Sequence, residues 1–359
     1  MIVFVLGTSA EAIKVQPVMR RLKDRGVPSE IWATYQHTDA LDAALRALEL
    51  PAPTYFFTRG AKGAPIERPS QMVTWLAACF RALFKHKKAL RARLGENPLI
   101  VVHGDTVTTV FGAIAARILR VPSAHVEAGL RSGNLMRPFP EELDRRIVGK
   151  LARVHFAPNA EATHNLRKKD VVNTLRNTAI DGVLDTLTEE APVLQKPYGL
   201  VLLHRFEFIS QGDFVAKTIE TLNAHTKVPL VILTDAFSGG PVNEALKNLS
   251  DPKLTPSQKL PYPEFVNAMA NAELIFTDSG GIQQEAGLLG VPTMLHRQVT
   301  ESPDGMDRNI VLSGWDLEKV KNFLVNYEEL RKPLERPEQS PSDIIVDAFE
   351  ARGYLSTSD

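Results

Sequence analysis

Acidic side chains stand at the carboxyl ends of two predicted strands. Asp105 lies in the turn "HGDT", between the apolar run "PLIVV" and a predicted helix, and Glu127 ends the strand "SAHVE". Open α/β sheets bind their ligands at such strand ends. Two carboxyl groups whose pKa values are separated by their surroundings can act as a general acid and a general base. An acid in this kind of turn can also be only a helix cap, so the turn itself leaves both interpretations of Asp105 open.

Other polar residues occupy comparable positions. Glu141 and Glu142 open a predicted helix after "RPFP", but acids in a first turn stabilise the helix dipole, so the structural explanation is strong for this pair. His204 ends the strand "YGLVLLH" and is followed by Arg205, a combination that suits an anionic or sugar ligand. A single histidine at a strand end is more often structural.

Two strand–turn–helix segments could bind an anion. In "GTSAEAIK" a turn of small residues leads into a helix that carries Lys14 one turn from its start. In "TDSGGIQQEA" the glycines Gly280 and Gly281 let the backbone approach a ligand closely, and the helix N-terminus offers unpaired N–H groups. Strand, glycine turn and helix also occur in α/β proteins without a ligand there.

The elements that must position these residues alternate between short β-rich runs and longer stretches of helical period, the pattern of parallel α/β units. The predicted strands are "IVFVL", "EIWAT", "LIVVH", "SAHVE" and "VHFAP", then "YGLVLLH", "PLVILTD", "ELIFTD" and "PTMLHR". A proline-bearing connector near 191–199 separates the two sets. We expect one domain over residues 1–175, joined by a C-terminal helix at 341–355, and a second over 176–340.

Composition excludes several classes of protein. The 359 residues include 42 basic and 42 acidic side chains, so no global charge favours nucleic acid. One cysteine, Cys79, excludes an internal disulfide and a cysteine-based zinc cluster. No apolar run approaches the roughly 20 residues that span a bilayer, and "MIVFVLG" is expected to be a first strand and not a signal peptide. We therefore expect a cytoplasmic protein. Neither glycine turn matches GxGxxG, so no dinucleotide cofactor is indicated.

Seven segments in order resemble UDP-N-acetylglucosamine 2-epimerases from about residue 1 to 305. They are "VHGDTVTT", "HVEAGLRSG", "PFPEELDRR", "HFAP", "NTAID", "HRFE" and "TDSGGIQQEAGLLGVP". Each segment alone is a weak signal, whereas their shared order and spacing are highly specific. The resemblance implies the GT-B fold of the α/β class. Two Rossmann-like, doubly wound domains then face each other across a cleft, and the C-terminal helix returns to the first domain.

The resemblance also assigns roles to the matching positions. The catalytic residues are Asp105, Glu127, Glu141 and His204. The substrate-binding residues are Ser9, Lys14, Arg205, Phe265, Ser279, Gly280, Gly281 and Glu285. Asp105 is accordingly expected to face the cleft and not merely to cap a helix.

An epimerase of this kind removes the C2 proton while UDP leaves C1, which gives an enzyme-bound glycal. The proton then returns on the other face and the diphosphate adds back. Clustered carboxylates would supply the acid and the base, and cations with helix N-termini would hold the diphosphate. The implied partner is a nucleotide sugar, with no metal and no cofactor because nothing is oxidised, and the implied assembly is a homodimer.

Departures from the family's pattern fall on ligand-binding positions. Ser9 and Ser302 stand where the family has arginines, Leu260 replaces a nucleotide-contacting glutamine, and "LTDAFSGGP" replaces the P-x-H-x-N-P loop. Each charge-assisted hydrogen bond is worth roughly 1.5–3 kcal/mol, so two lost guanidiniums indicate either substitute cations or an altered substrate, and we expect the altered substrate. The candidate substitutes are Arg131, Arg205 and Arg297.

Three alternatives remain open at this point. A hydrolysing relative would release N-acetylmannosamine and UDP from the same glycal, and the sequence does not separate it well from a non-hydrolysing epimerase. A GT-B glycosyltransferase would need an acceptor site and fewer acids than this chain has. A silent sugar-nucleotide binder fits the altered ligand residues but not the intact acids.

Overall fold

The computed structural model describes residues 1–61, 63, 66, 69–134, 139–166, 169–188, 194–234, 239–300, 302–306 and 308–355. They form two compact units. Unit 1 comprises Met1–Gly182 with Glu338–Asp359, and unit 2 comprises Val183–Pro337. Parts of the predicted connector (189–193) and of the "LTDAFSGGP" loop (235–238) lie outside the described residues.

Unit 1 is built on a parallel seven-stranded sheet with the order β3-β2-β1-β4-β5-β6-β7. Its strands are β1 (Ile2–Leu6), β2 (Ser29–Ala33), β3 (Tyr55–Phe56), β4 (Leu99–His103), β5 (Ser123–Val126), β6 (Val154–Ala157) and β7 (Asp170–Asn173). The central strands β1 and β4 are buried along their whole length, which is typical of parallel strands covered on both faces. The order reverses between β1 and β4, so the turns that follow these two strands meet at one edge of the sheet.

Unit 2 is built on a parallel six-stranded sheet with the order β10-β9-β8-β11-β12-β13. Its strands are β8 (Gly199–Leu202), β9 (Leu230–Thr234), β10 (Leu254–Gln258), β11 (Ile275–Thr277), β12 (Thr293–Leu295) and β13 (Ile310–Leu312). Here the order reverses between β8 and β11, and the turns after these two strands meet at the carboxyl edge.

Helices connect the strands in both units. The first seven are α1 (Ser9–Asp24), α2 (Thr38–Ala47), α3 (Pro69–Arg93), α4 (Val107–Leu119), α5 (Glu141–Leu151), α6 (Ala160–Asn165) and α7 (Ala179–Thr186). The others are α8 (Phe206–Ile209), α9 (Gly212–His225), α10 (Gly239–Lys247), α11 (Tyr262–Asn271), α12 (Gly280–Leu289), α13 (Leu317–Asn326), a 3₁₀ turn (Tyr327–Leu330) and α14 (Pro341–Ala351). Among these described helices, none is long and apolar enough to cross a membrane.

The C-terminal helix α14 belongs to unit 1, where it packs against α1. Asp181 accepts a hydrogen bond from the Ser342 backbone N–H at 2.7 Å, and Arg21 lies 3.5 Å from the carboxylate of Asp343. These contacts confirm the predicted return of the helix to the first Rossmann-like unit.

All nine predicted strands are present, and the predicted fold of two doubly wound parallel sheets is confirmed. The four strands that were not predicted, β3, β7, β10 and β13, are the edge strands of the two sheets. Edge strands are short and partly solvated, and β10 contains Pro256, which central strands do not tolerate. Their sequences therefore lack the apolar runs that reveal central strands.

Candidate active site

The carboxyl ends of β4 and β5 place Asp105 and Glu127 at the carboxyl edge of the first sheet, beside the switch point between β1 and β4. Asp105 does not cap the helix that follows it, because the N-cap of α4 is Thr106, whose hydroxyl accepts from the Thr109 N–H. The Glu127 backbone has a φ of 62°, a left-handed conformation that is uncommon for a residue with a side chain. Such a conformation turns the chain sharply at the end of β5.

Glu127 is held as a carboxylate by long-range contacts. The Lys14 ammonium lies 2.5 Å from its Oε2, the Asn177 amide donates to the same oxygen, and His103 Nε2 lies 3.5 Å away. Burial alone would raise the pKa of this carboxyl, but the charge of Lys14 and the hydrogen bonds from Lys14 and Asn177 lower it to about 2. Lys14, predicted to bind the ligand, makes an ion pair with a predicted catalytic acid in this structure.

The surroundings of Asp105 raise its pKa, whereas those of Glu127 lower it. Its Oδ2 accepts from Arg145 Nε at 2.9 Å and lies 2.6 Å from Arg145 Nη2. Burial raises the pKa of Asp105 and the negative charge of Glu127 adds to the increase, while Arg145 only partly offsets it.

The first turn of α5 adds two more acids to this region. Glu141 has a buried Oε2 for which the described residues provide no hydrogen-bond partner, and the same holds for Oδ2 of Asp144. Burial, together with the charges of Asp105 and Glu141, raises the pKa of Asp144 to about 7. We call the acids Asp105, Glu127, Glu141 and Asp144, with the cations Lys14 and Arg145, the acid cluster.

Glu142 has a structural role beside the acid cluster. Its fully buried carboxylate accepts from Arg146 Nε at 2.9 Å and from the Ser132 N–H at 3.0 Å. Arg145 lies 3.5 Å from the same carboxylate. The structural interpretation of an acid in this turn therefore holds for Glu142, whereas the described residues provide no hydrogen-bond partner for Glu141 Oε2.

In unit 2, Asp278 organises the turns that follow β8 and β11. Its buried carboxylate accepts from the backbone N–H groups of His204 (3.0 Å) and Arg205 (2.9 Å), and its carbonyl oxygen accepts from Arg205 Nε at 2.8 Å. His204 Nδ1 lies 3.4 Å from Asp278 Oδ1, and the His204 side chain is 40% exposed. Residues 204–205 and 278–281 are hereafter called the anion turn.

The helix α12 begins within the anion turn. Ser279 is its N-cap, with its hydroxyl accepting from the Ile282 N–H, and Gly280 and Gly281 form the first helical positions. A Cβ added at Gly280 would lie 3.7 Å from Arg297 Nη1, so a guanidinium stands close to these backbone N–H groups. Arg205 and Arg297 also line one cavity together with Asp278. The anion turn thus combines a helix N-terminus with two arginines, which is the composition of an anion site.

The remaining predicted positions are not members of the acid cluster or the anion turn. Glu285 accepts from the Tyr262 hydroxyl at 3.0 Å, and Phe265 is half-buried on α11. Ser9 is the first residue of α1, after the turn that follows β1. The Ser302 hydroxyl donates to Asp304 at 2.5 Å, so an acid accompanies the serine at this departure.

Sequence reasoning missed Asp144, Arg145, Asn177 and the anchoring role of Asp278. Asp144 and Arg145 lie within "PEELDRR", where the acids looked like dipole-stabilising residues, so their spacing three and four positions after Glu141 was the available signal. Asn177 begins the segment "NTAID", one of the seven that resemble the family, but that segment alone does not connect it with Glu127.

Comparison with known proteins identifies the family of this chain. The profile of a family described as UDP-N-acetylglucosamine 2-epimerase matches residues 20–341. The chain belongs to the UDP-N-acetylglucosamine 2-epimerase family. Epimerases are isomerases, so the chain belongs to a family of isomerases.

Curated relatives and solved structures extend over most of the chain. A UDP-N-acetylglucosamine 2-epimerase of Yersinia pestis is 35% identical in an alignment 341 residues long that covers 88% of this chain and 87% of the relative. A crystal structure of the Neisseria meningitidis UDP-GlcNAc 2-epimerase bound to UDP-GlcNAc is 27% identical with a TM-score of 0.79, covering 98% and 99% of the two chains. A Methanocaldococcus jannaschii UDP-GlcNAc 2-epimerase in complex with UDP-GlcNAc and UDP has a TM-score of 0.76 at 27% identity, covering 97% and 99%.

Proposed function

We propose that the protein epimerises C2 of a nucleotide-linked 2-acetamido sugar, UDP-N-acetylglucosamine or a close variant, without hydrolysing it. The observation that carries the proposal is the divergence of pKa values in the acid cluster. The pKa of Glu127 is lowered to about 2 by Lys14 against the effect of burial, whereas burial raises those of Asp105 and Asp144. Carboxyl groups with separated pKa values are what an acid–base pair requires.

The proposed reaction runs through elimination and re-addition. A carboxylate base takes the C2 proton, the C2–H electron pair forms the C1=C2 double bond, and the C1–O bond breaks with its electrons going to the diphosphate. In the return step an acid delivers a proton to the other face of C2 and the diphosphate oxygen bonds to C1. The product differs from the substrate only in configuration, so neither water nor an oxidant is consumed.

Within the acid cluster we assign the proton transfers to Asp105 and Glu141, with Glu127 kept ionised. Glu127 is neutralised by Lys14 and fixed by Asn177, which suits a permanent carboxylate. Glu141 has a buried oxygen without a hydrogen-bond partner among the described residues, and burial raises the pKa of Asp105, which favours proton uptake by Asp105.

The anion turn is assigned to the nucleotide diphosphate. The support is the combination of His204, Arg205 and Arg297 with the free N–H groups at the start of α12. It is also consistent with the relatives from Neisseria meningitidis and Methanocaldococcus jannaschii, whose structures contain UDP-GlcNAc.

We infer that the sugar or nucleotide differs from that of the family's ordinary substrate. Arg131, the third candidate substitute, belongs to unit 1 and lines a separate cavity with Arg146 and Lys150. At position 302 the serine donates to the carboxylate of Asp304, so negative charge stands where the family presents a cation. Two such losses are worth several kcal/mol together, which favours an altered ligand.

The deciding experiment incubates the protein with a panel of nucleotide sugars in D₂O and follows C2 by NMR. Deuterium incorporation at C2 with the diphosphate linkage intact is the expected result. Appearance of free N-acetylmannosamine would instead establish a hydrolysing epimerase. Absence of exchange with every nucleotide sugar, while UDP still binds, would replace the proposal with a binding function.

A further inference from the structure

The second face of α5 borders a cavity that the proposed reaction does not use. Its volume is about 540 Å³, within the range of small-molecule sites. It is lined by Arg131, Arg146, Gly149, Lys150, His164, Asn165, Leu166 and Lys169, all in unit 1. Along α5, Asp144 and Arg145 face the acid cluster, whereas Arg146, Gly149 and Lys150 line this cavity. We call it the α5 cavity.

The charge of the α5 cavity is unbalanced. Four of its lining side chains are arginine or lysine, and no carboxylate is among the described residues that line it. The nearby buried acid, Glu142, is already engaged by Arg146 and by the Ser132 N–H. Asp170, next to Lys169 in sequence, is paired with Arg352 at 2.6 Å.

The half-buried Arg131 lines this cavity, and the positive charges of neighbouring arginines act on its guanidinium. Burial lowers the pKa of its guanidinium, Glu142 opposes that effect, and the positive charges of Arg146 and Arg145 lower the pKa further. Cations that repel one another inside a concave surface create a focused positive potential, which an anion would relieve.

Gly149 is the second observation that points to an occupant. It lies inside α5, where glycine costs about 1 kcal/mol relative to alanine. A Cβ at this position would meet Arg131 Nη2 at 3.5 Å and Leu166 Cδ2 at 3.7 Å, both ordinary contacts, so crowding does not require the glycine. A longer side chain at this position would start between the Arg131 guanidinium and the Leu166 side chain, both of which line the cavity.

We propose that the α5 cavity is a second anion-binding site, for a small molecule that carries a chain of phosphate groups. Guanidinium groups bind phosphate through paired hydrogen bonds, and several cations around one concavity match several phosphates better than one. The concave shape favours a small ligand over a flat membrane or a duplex. The site is independent of the proposed epimerase reaction and is tested by binding, not by turnover.

The test is calorimetric titration with inorganic tripolyphosphate at low and physiological salt. The first cavity variant combines Lys150→Glu with Lys169→Glu. The second is Gly149→Leu, which adds bulk beside Arg131 and Leu166 without changing the charge. The matched control is Lys87→Glu with Lys88→Glu, two exposed positions on α3 that change the net charge equally. We expect at least tenfold weaker binding in both cavity variants and a change of less than threefold in the control, with unfolding temperatures confirming that each variant is folded.

Two further titrations identify the ligand and the place. ATP bound more tightly than tripolyphosphate would identify a nucleoside triphosphate as the ligand, and equal affinities would identify the phosphate chain alone. An Arg205→Ala variant reports on the anion turn of unit 2. The proposal is overturned if Arg205→Ala removes the binding while the cavity variants keep it, if the control loses as much affinity as the cavity variants, or if the wild type binds no tripolyphosphate at millimolar concentration.

Discussion

The acid cluster of unit 1 and the anion turn of unit 2 lie at equivalent places in two similar sheets but are built from different groups. The acid cluster consists of side-chain charges joined by ion pairs such as Lys14–Glu127 and Arg145–Asp105. The anion turn depends on the backbone: N–H groups donate to the buried Asp278, and a helix begins at Gly280.

The two constructions suit two different tasks, namely proton transfer and the binding of an anion. Proton transfer needs groups whose protonation changes, and those are side chains whose pKa values burial and neighbours can move. Binding a diphosphate needs fixed donors and positive charge, which helix N-termini and arginines supply at every pH. Units with the same topology can thus divide a reaction between chemistry and binding.

The largest expected effect follows from removing the charge of Asp105. Asp105→Asn keeps the shape of the side chain but cannot carry a proton in and out, so C2 exchange should fall about 1000-fold. Affinity for UDP should stay within about tenfold, because a proton-transfer group acts mainly in the transition state. Deuterium exchange and calorimetry measure the two quantities, and unimpaired exchange would assign Asp105 a purely structural part.

The two units should also differ in resistance to acid. In unit 1, burial lowers the pKa of His103 to about 4, of His125 to about 3 and of His155 to about 4, whereas in unit 2 it lowers the pKa of His296 to about 4. Each neutral histidine stabilises the fold fully above its unfolded pKa of 6.5, and that stability is lost as the pH falls from 6.5 toward 4. For a pKa that falls from 6.5 to about 4, the loss at pH 4 is about 3 kcal/mol.

Hydrogen exchange read by mass spectrometry should therefore show unit 1 losing protection at a higher pH than unit 2. His155→Leu removes one of these groups and should flatten the pH dependence of unfolding between pH 6.5 and 4. The matched control is His86→Leu, which removes an exposed histidine of the same unit. Equal pH dependence in the two variants would contradict the proposed origin of the acid sensitivity.

In the anion turn, Arg205→Ala should weaken UDP binding about 10- to 100-fold, since one charge-assisted hydrogen bond is worth roughly 1.5–3 kcal/mol. The turnover rate of bound substrate should change less than the affinity. Lys217→Ala, an exposed cation on α9, is the control and should leave affinity unchanged. A purely catalytic defect in Arg205→Ala would break the assignment of binding to unit 2.

The smallest expected effect is a displaced pH profile. Lys14→Met removes the ammonium that opposes burial at Glu127, so the pKa of this carboxyl should rise from about 2 by one pH unit or more. The acidic limb of the kcat/KM profile should then move toward neutral pH. Lys23→Met, an exposed position on the same helix, should leave the limb in place. An unmoved limb in Lys14→Met would mean that Glu127 does not need to be ionised.

Much of the fold follows from local sequence signals. The nine central strands are apolar runs bounded by turns, and the sequence places Asp105 and Glu127 after strands of the first sheet and His204 and Ser279 after strands of the second, which predicts the carboxyl edge of each sheet. The edge strands β3, β7, β10 and β13 could not be found in this way, since a strand that is half-solvated needs no continuous apolar pattern.

The sequence by itself determined the parallel α/β architecture and which acids stand at strand ends, because hydrophobic periodicity and turn residues act over short stretches of chain. Only the tertiary structure decided the charged partners and the pKa values of those acids. Glu127 has its ammonium partner 113 residues away and Asp105 has its guanidinium 40 residues away. Asp144 became a carboxyl with a pKa of about 7 only through burial beside Asp105 and Glu141. A pKa depends on burial and on charges a few ångströms away in space, and neither quantity is encoded in the neighbouring residues of the chain.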